Sequence, residues 1–178
     1  MAMQPITHAG LVFRSFRSTD AANFARAARE SVDTVGRWMS WCNSSFSELD
    51  ALAWFSQCRS GKRRQTAYEV GIFSASTGEL LGGAGLNAIQ RHNLLCNLGY
   101  WVKQSAQRQG IASRTVQALV PYAFDTLGMQ RVEIVVAVGN TPSEAVARKA
   151  GAEFEGVARN RIQLHGKAVP ASIFSLVP

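Results

Sequence analysis

The feature that most constrains this fold is a glycine-containing turn, residues 107–112, between two regular segments. The apolar run 98–102 before it is typical of a strand, and the pattern of residues 113–127 after it is typical of a helix. The first N–H groups of a helix lack intrahelical partners, and the helix dipole adds positive potential beside them. Gly110 has no side chain to hold a phosphate away from the backbone. The turn therefore predicts a pyrophosphate-binding site.

The composition is that of a globular protein. With 178 residues, 47% of them hydrophobic and 17% charged, the chain is expected to form one domain, residues 1–178. The apolar runs are too short to span a membrane, and residues 1–5 lack the pattern of a signal peptide. The sequence therefore predicts a cytoplasmic protein without a membrane partner.

Cysteine and histidine do not follow a metal-binding pattern. Cys42, Cys58 and Cys96 are scattered, which favours small buried side chains in a reducing compartment over disulfides or metal ligands. The three histidines lie far apart in the sequence and show no spacing typical of zinc sites. We therefore expect no bound metal.

The charge favours acidic partners. The formal net charge is +7 and the pI is about 9.9, which suits a polyphosphate cofactor, a nucleic acid or an anionic surface. The densest basic run, residues 62–64, is predicted to lie in a solvated loop between a helix and a strand. Nucleic-acid-binding proteins usually place aromatic side chains among such residues, and this run has none beside it. A nucleic-acid partner is therefore not favoured.

Alternating and helical patterns predict seven strands and four longer helices. The strands are expected at residues 11–16, 67–74, 80–89, 94–102, 131–138, 153–163 and 168–176, and the helices at 21–30, 48–58, 113–127 and 142–149, with a short helix and loop in 32–41. Three consecutive strands in the middle predict an antiparallel meander. This order predicts an α+β fold in which helices cover a sheet.

Several shorter patterns add detail to this order. Thr141 is predicted to cap the last helix, with Glu144 completing a capping box. The glycines in residues 82–85 indicate a bulge or a close approach of another group. A hairpin turn at residues 165–166 leaves an edge strand that could pair with a second copy of the chain. The tryptophan cluster at residues 38–41 predicts either a cleft wall or core packing.

Four ordered blocks of this sequence resemble the GNAT N-acetyltransferases. They are residues 98–102 with Gln-x-x-Gly-x-Ala at 107–112, residues 140–143 with 149–151, residues 155–160 with 164–167, and residues 81–87. The last two of these blocks resemble the RimJ/RimL branch, which includes ribosomal-protein N-terminal acetyltransferases. The resemblance covers about residues 8–177 and implies the GNAT fold, a mixed and mostly antiparallel sheet of about seven strands flanked by helices.

The resemblance also implies a role for acetyl-CoA and for the residues that bind it. Backbone amides of residues 107–112 would hold the pyrophosphate, and the strand at residues 100–102 would bind the pantetheine arm, with a bulge there parting this strand from residues 132–138. Ser143 would lie near the sulfur, and Lys149, Arg108 and Arg114 would meet the ribose phosphate. The implied cofactor-binding residues are Tyr100, Trp101, Val102, Gln107, Arg108, Gln109, Gly110, Ile111, Ala112, Ser113, Asn140, Ser143 and Lys149.

Catalysis is expected to involve Ser143 and Glu69. In the RimJ/RimL branch a serine at the position of Ser143 is proposed to donate a proton to the leaving sulfur, although serine is also common in the first turn of a helix. Asn97 and Ile162 stand where relatives have glutamates, and the tyrosine that many relatives carry near residue 147 is absent. Glu69 is the best remaining carboxylate base, acting through water. Tyr68 and His92 are weaker alternatives for the base.

The acceptor is predicted from the cost of obtaining a neutral amine. At pH 7 this cost is roughly 4.6 kcal/mol for a lysine side chain and about 1 kcal/mol for an α-amino group. A site poor in carboxylates therefore favours a peptide or protein N-terminus, ribosomal-protein-like in view of the resemblance, or a small amine. The alternatives are a protein of this fold that acts on a small-molecule amine, or one that binds CoA without turnover. A nucleotide-binding P-loop is disfavoured because Lys-Ser/Thr does not follow Gly110.

Overall fold

The computed structural model describes residues 4–178, in which helices cover both faces of an eight-stranded sheet. The strands are β1 (Ile6–His8), β2 (Leu11–Arg14), β3 (Tyr68–Ser74), β4 (Leu80–Gln90), β5 (Leu95–Val102), β6 (Arg131–Ala137), β7 (Glu153–Leu164) and β8 (Lys167–Leu176). The helices are α1 (Ala21–Glu30), α2 (Glu48–Arg64), α3 (Ile111–Pro121) and α4 (Thr141–Lys149). Residues 1–3, where the signal-peptide prediction begins, lie outside the described residues.

The sheet opens between its two central strands. The strand order is β1-β2-β3-β4-β5-β6-β8-β7, and only the β5–β6 pair is parallel among the pairs formed by the described residues. These two strands pair only between residues 95–97 and residues 131–133. Beyond Asn97, β5 stays paired with β4 as far as Val102, whereas β6 continues with β8. A gap therefore separates the second half of β5 from that of β6.

The core has two parts because neighbouring side chains of a strand point to opposite faces. On one face, Leu98 of β5 packs in a cluster with Val116 and Leu119 of α3. On the other face, the ring of Phe24 in α1 meets the rings of Phe55 in α2 and Trp101 in β5, with centroids 5.4 and 5.2 Å apart. Fully burying one such large apolar side chain contributes about 1.5–3 kcal/mol, so both layers hold the helices on the sheet.

The predicted element order is confirmed, with changes at the ends of elements. A short strand, β1, precedes the first predicted strand, so the sheet has eight strands rather than seven. Residues 32–41 form successive turns in place of the predicted short helix. Helix α3 ends at Pro121 and continues as a π turn, Tyr122–Thr126, because proline lacks the N–H that the helical ladder requires.

The basic run at residues 62–64 belongs to a helix and not to a loop. Helix α2 continues to Arg64, and Gln65 ends it in a left-handed conformation with a φ of 58°. Positive side chains in the last turn lie beside the negative end of the helix dipole, which favours the longer helix. The loop prediction for this run is therefore wrong.

The cap of α4 also differs from the prediction. Asn140 is the N-cap, and Thr141 already belongs to the helix. The Glu144 carboxylate accepts a hydrogen bond of 2.9 Å from Ser172 Oγ on β8. The predicted capping box is wrong because this side chain bonds across to the sheet.

The glycines of β4 allow other groups to approach the backbone closely, as predicted. The carboxylate of Glu69 occupies the space that a side chain at Gly85 would need, and the indole of Trp101 does the same at Gly83. The bulge predicted at residues 100–102 is not found: residues 98–102 pair with β4 without a shift, and the irregularity lies between Asn87 and Gln90. The gap in the sheet thus arises because β6 turns away from a regular β5.

The three cysteines are free and buried, as expected. Burial raises the pKa of the Cys42 and Cys96 thiols to about 11, which keeps them protonated at neutral pH. None of the helices formed by residues 4–178 is both long and apolar enough to cross a membrane.

Candidate active site

The turn before α3 presents backbone donors at the mouth of the sheet gap. Arg108 and Gly110 have positive φ values of 62° and 73°, and Gly110 is the N-cap of α3. Ile111, Ala112 and Ser113 have no carbonyl four residues earlier within the helix, so their N–H groups are available to a ligand. A Cβ added at Gly110 would meet no atom of the described residues within 4 Å. This geometry suits a phosphate at a helix N-terminus.

A cleft of about 680 Å³ extends from this turn into the gap between β5 and β6. Its lining comes from residues 98–102 of β5, residues 134–137 of β6, the turn before α3, the beginning of α4 and residues 33–39. The volume lies within the usual range of ligand sites. The N–H groups on the free edge of β5 have no β6 partner beyond Asn97, so an extended ligand arm can bind there.

Two hydroxyl groups meet inside the cleft. The Tyr100 hydroxyl lies 3.1 Å from Ser143 Oγ and also donates to the Ser143 carbonyl oxygen at 3.3 Å. Burial raises the pKa of Tyr100, so its phenol stays protonated at neutral pH. Ser143 sits in the first turn of α4, where its backbone N–H donates to Asn140 O at 3.0 Å. When Ser143 releases its own proton to a leaving group, the Tyr100 hydroxyl can turn its proton from the Ser143 carbonyl oxygen to Ser143 Oγ.

The loop after α1 forms the opposite wall of the cleft. The side chain of Gln107 ties this loop to the turn, because its Nε2 donates to Thr34 Oγ1 at 3.2 Å and to Val102 O at 3.0 Å. The predicted cofactor residue Gln107 thus has a structural task as well: its amide fixes the distance between the loop and the end of β5.

The hairpin turn between β7 and β8 supports the same loop from outside. The backbone N–H of His165 donates to Ser40 Oγ at 2.8 Å, and its ring Nε2 lies 2.9 Å from Gly36 O, an oxygen that can only accept. Trp38 lines the cleft and reaches to 3.7 Å from the position of a Cβ at Gly139, whereas Trp41 packs in the core. The tryptophan cluster therefore supplies both a cleft wall and core packing.

The structure brings most of the predicted cofactor-binding residues together. The cleft lining includes Tyr100, Trp101, Val102, Gln107, Arg108, Gly110, Ile111, Ala112, Ser113, Asn140 and Ser143. The two remaining residues lie outside the lining: Gln109 is in the exposed part of the turn, and Lys149 is in the last turn of α4.

The second predicted catalytic residue lies beside the cleft and not in its lining. Glu69 is on the α1–α2 face of the sheet, where its Oε1 accepts a hydrogen bond of 3.1 Å from Asn87 Nδ2. Burial raises the pKa of Glu69. The only carboxylate in the lining, among the residues that the structure describes, belongs to Asp33.

Sequence reasoning did not single out Asp33 and Arg37 as site residues. Both line the cleft from an exposed loop of turns that has no periodic pattern and no motif. The tryptophan cluster beside them was the available signal. No group of three or more histidine, cysteine or acidic side chains within residues 4–178 is arranged to hold a metal ion.

Residues 10–153 match the family described as acetyltransferase (GNAT) domain. The chain belongs to the GNAT acetyltransferase family. This acetyltransferase is 28% identical over 174 residues to the YdaF protein of Bacillus subtilis, whose name provisionally describes a ribosomal N-acetyltransferase; the match covers 94% of this chain and 91% of the relative.

Solved structures of related proteins share the fold of this acetyltransferase. A structure from Vibrio cholerae, described provisionally as a ribosomal-protein-serine acetyltransferase, superposes with a TM-score of 0.90 at 30% identity and covers 100% of both chains. RimL, described as a ribosomal L7/L12 α-N-protein acetyltransferase in complex with coenzyme A, superposes with a TM-score of 0.87 at 24% identity over 98% of both chains. The second likeness bears on the fold alone.

Acetyl-CoA is the acetyl donor in this family, and the predicted cofactor is therefore confirmed. The site fits it in two places. The open, positive-φ turn at Gly110 can accept a diphosphate, and the free edge of β5 can bind an extended pantetheine arm. When bound, acetyl-CoA supplies a thioester that an amine can attack near Tyr100 and Ser143.

Proposed function

We propose that this acetyltransferase modifies the α-amino group of a peptide or protein, and that its substrate resembles the N-terminus of a ribosomal protein. Two relatives named for ribosomal acetylation, YdaF and the Vibrio cholerae protein, align over 94% and 100% of this chain. The match to the Vibrio cholerae protein, at 30% identity, covers the whole chain and so includes residues 33–39 as well as the cofactor turn.

The observation that carries this proposal is the small number of carboxylates at the cleft. Asp33 alone contributes one to the lining within residues 4–178, and Asp33 is exposed. The ammonium form must lose its first proton before the amine can attack, and a lining with one exposed carboxylate gives little help with that step when the pKa of the amine is high. Neutralising lysine at pH 7 costs roughly 4.6 kcal/mol, against about 1 kcal/mol for an α-amine, so the α-amine suits this cleft better.

The chemistry can be assigned to groups of this chain. The amine nitrogen bonds to the acetyl carbon while the carbon–sulfur bond breaks. N–H groups on the free edge of β5 stabilise the charge that develops on the carbonyl oxygen. Ser143 donates its hydroxyl proton to the leaving sulfur, and Tyr100 replaces that proton across their 3.1 Å contact.

The acceptor is expected to enter along the loop wall formed by residues 33–39. Asp33 can bind an ammonium group as it arrives, and Trp38 offers an apolar surface to the first side chain of a peptide. Because the loop is tied to Gln107 and to the β7–β8 turn, its position is fixed before the acceptor binds.

The test compares two peptides that share one sequence with an internal lysine. One has a free N-terminus and the other an acetylated N-terminus. Thiol release from acetyl-CoA is followed, and mass spectrometry locates the new acetyl group. We expect turnover with the free N-terminus only. Modification of lysine in both peptides would refute the α-amine proposal, and turnover of small amines alone would favour a small-molecule acceptor.

We also propose that residues 1–178 form one catalytic domain located in the cytoplasm. A single sheet includes strands from Ile6 to Leu176, which supports the first part. Limited proteolysis checks it: one protected fragment is expected, and two fragments of similar stability would contradict it.

A contact between two copies at β7 remains a proposal. β7 is the outer strand, and its Phe154 and Val157 are 46% and 55% exposed. Two register shifts along β7 bend its edge, which weakens regular pairing with a second strand. Light scattering after size-exclusion chromatography, with Val157→Lys as the interface variant, distinguishes a dimer from a monomer.

A further inference from the structure

A row of three residues crosses the sheet from β3 to the cleft. Glu69 pairs with Gly85, and Gly85 pairs with Gly99 on β5. The Glu69 carboxylate lies over Gly85, where a side chain would overlap it, and Gly99 belongs to the cleft lining. The two glycines thus leave a lateral path from the carboxylate to the cleft.

Two amide side chains border this path. Asn87 Nδ2 donates to Glu69 Oε1 at 3.1 Å, and Asn97 Nδ2 donates to Asn87 Oδ1 at 2.9 Å. A Cβ at Gly99 would lie 3.8 Å from both Nδ2 atoms. The amide nitrogens therefore flank the point where the path reaches the cleft.

The direction of the amide chain follows from the charge on Glu69. An ionised carboxylate can only accept, so Asn87 must donate to it and in turn accept from Asn97. At the far end, Asn97 Oδ1 is fully buried and accepts no hydrogen bond from residues 4–178. The Asn97 Nδ2 atom, like that of Asn87, lies 3.8 Å from the position of a Cβ at Gly99.

The surroundings of Glu69 are neutral. The titratable group that faces it from α2 is the thiol of Cys58, whose pKa is raised to about 12, chiefly by burial, so that it carries no charge. The group that faces it from β4 is the uncharged amide of Asn87. Burial raises the pKa of the Glu69 carboxyl, which makes it a stronger base than an exposed glutamate.

We propose that Glu69 takes up the proton of the acceptor amine through one water molecule above Gly99, and that Asn87 and Asn97 are positioning residues that hold this water. The inference rests on the proposed function, because it requires an amine in the cleft. The water accepts a hydrogen bond from an amide nitrogen and donates one to Glu69. As the nitrogen–carbon bond forms, the amine proton moves to the water, and a proton of the water moves to the carboxylate.

The first test replaces the carboxylate with its neutral isostere. Glu69→Gln keeps an oxygen that Asn87 can bind, and Glu153→Gln, which removes an exposed charge on β7, is the matched control. Three acceptors are first compared with the wild type: a peptide with a free N-terminus, an N-blocked lysine peptide and a small amine. The one that the wild type acetylates fastest is used for the variants. We expect kcat of Glu69→Gln to fall about 100-fold or more, with an unchanged dissociation constant for CoA.

The pH profile separates a base from a structural role. In the wild type, kcat/KM rises with pH as both Glu69 and the amine lose protons. In Glu69→Gln only the ionisation of the amine should remain, so the limiting slope of log kcat/KM against pH falls from two to one. The proposal would be overturned if Glu69→Gln kept the pH profile of the wild type and a kcat within twofold of it.

The second test closes the path at Gly99. Gly99→Ala adds a methyl group at ordinary contact distance, 3.8 Å, from the two amide nitrogens, so we expect the fold to be retained. The methyl group takes the place of the water, and kcat should fall at least about tenfold while CoA affinity is kept. Wild-type kcat in this variant would contradict the route.

A third measurement does not need turnover. The side-chain N–H₂ resonances of Asn87 and Asn97 should shift with pH as Glu69 titrates in the wild type and should be constant in Glu69→Gln. Resonances that do not respond to pH in the wild type would overturn the amide chain. If these resonances shift with pH as expected but the wild type acetylates none of the acceptors, the result would count against the proposed function alone.

Discussion

Gly110 and Gly128 provide a matched pair for testing the phosphate site. They lie just before and after the segment of α3 and its π turn, with φ values of 73° and 68°. Both are exposed, and a Cβ at either position would meet no described atom within 4 Å. A side chain at either position therefore costs the same backbone strain, about 1–2 kcal/mol. Only Gly110 lies beside the open N–H groups of α3.

The effect on binding can be estimated from those N–H groups. A hydrogen bond from the backbone to a charged phosphate is worth about 1.5–3 kcal/mol. If a glutamate side chain at Gly110 displaces the diphosphate from two such donors, at least about 3 kcal/mol is lost, which is roughly a 150-fold increase in the dissociation constant. The added negative charge increases this loss.

The assay is titration calorimetry with CoA on Gly110→Glu and Gly128→Glu, together with urea unfolding of both variants. We expect equal losses of unfolding free energy and a weakened affinity in Gly110→Glu alone. An affinity within threefold of wild type in Gly110→Glu would refute the assignment of this turn. Equal weakening in both variants would show that strain in α3, and not contact with phosphate, controls binding.

Three further results are expected from substitutions elsewhere. Ser143→Ala should lower kcat about 100-fold without changing the dissociation constant of CoA. Adding Tyr100→Phe to this variant should lower kcat little further, because the two hydroxyls act as a unit. Hydrogen bonds from Arg131 lower the pKa of Glu155 to about 2. The stability that Glu155 contributes is therefore present above its ordinary pKa of 4.5 and is lost as pH falls towards 2. In urea unfolding, Glu155→Gln should lower the free energy of unfolding by less than about 1 kcal/mol at pH 7, because the pair is solvent-exposed, and should not change it near pH 2. Because the pKa of Glu69 is raised, its ionisation reduces stability as pH rises through the folded-state pKa, so Glu69→Gln should melt at a higher temperature than wild type at pH 8 and at the same temperature at pH 4.

The regular elements were predictable because local chemistry decides them. The bounds of α1 agree with the prediction, since the apolar spacing that decides them acts within a few residues. Helix α2 was predicted too short because residues 59–64 carry few apolar side chains, and only packing on the sheet and the dipole reveal that the helix continues. The strand β1 was missed since three residues hold too little pattern to be recognised.

The cofactor side of the site was predictable for a similar reason. A strand, a glycine turn and a helix start are contiguous in sequence, and their geometry creates the donors at Ile111 and its neighbours. The acceptor side was not, because it combines Asp33 with residues from β5 and from the β7–β8 turn. Such contacts depend on how distant segments meet, which no local pattern records.

The same limit explains how Gly99 and Tyr100, adjacent in sequence, reach different partners. Tyr100 points to the α3–α4 face, where it meets Ser143, while the opposite face at Gly99 lies beside Asn87 and Asn97. A shift of one residue between β4 and β5 would exchange the two faces, placing the phenol on the face of Glu69 and moving Gly99 and Asn97 to the face of α4, which would break the amide chain. The regular pairing of residues 98–102 with β4 therefore matters to the chemistry as much as the residues themselves. It holds the donor for the sulfur and the path for the amine proton on opposite sides of one strand, within reach of the same cleft.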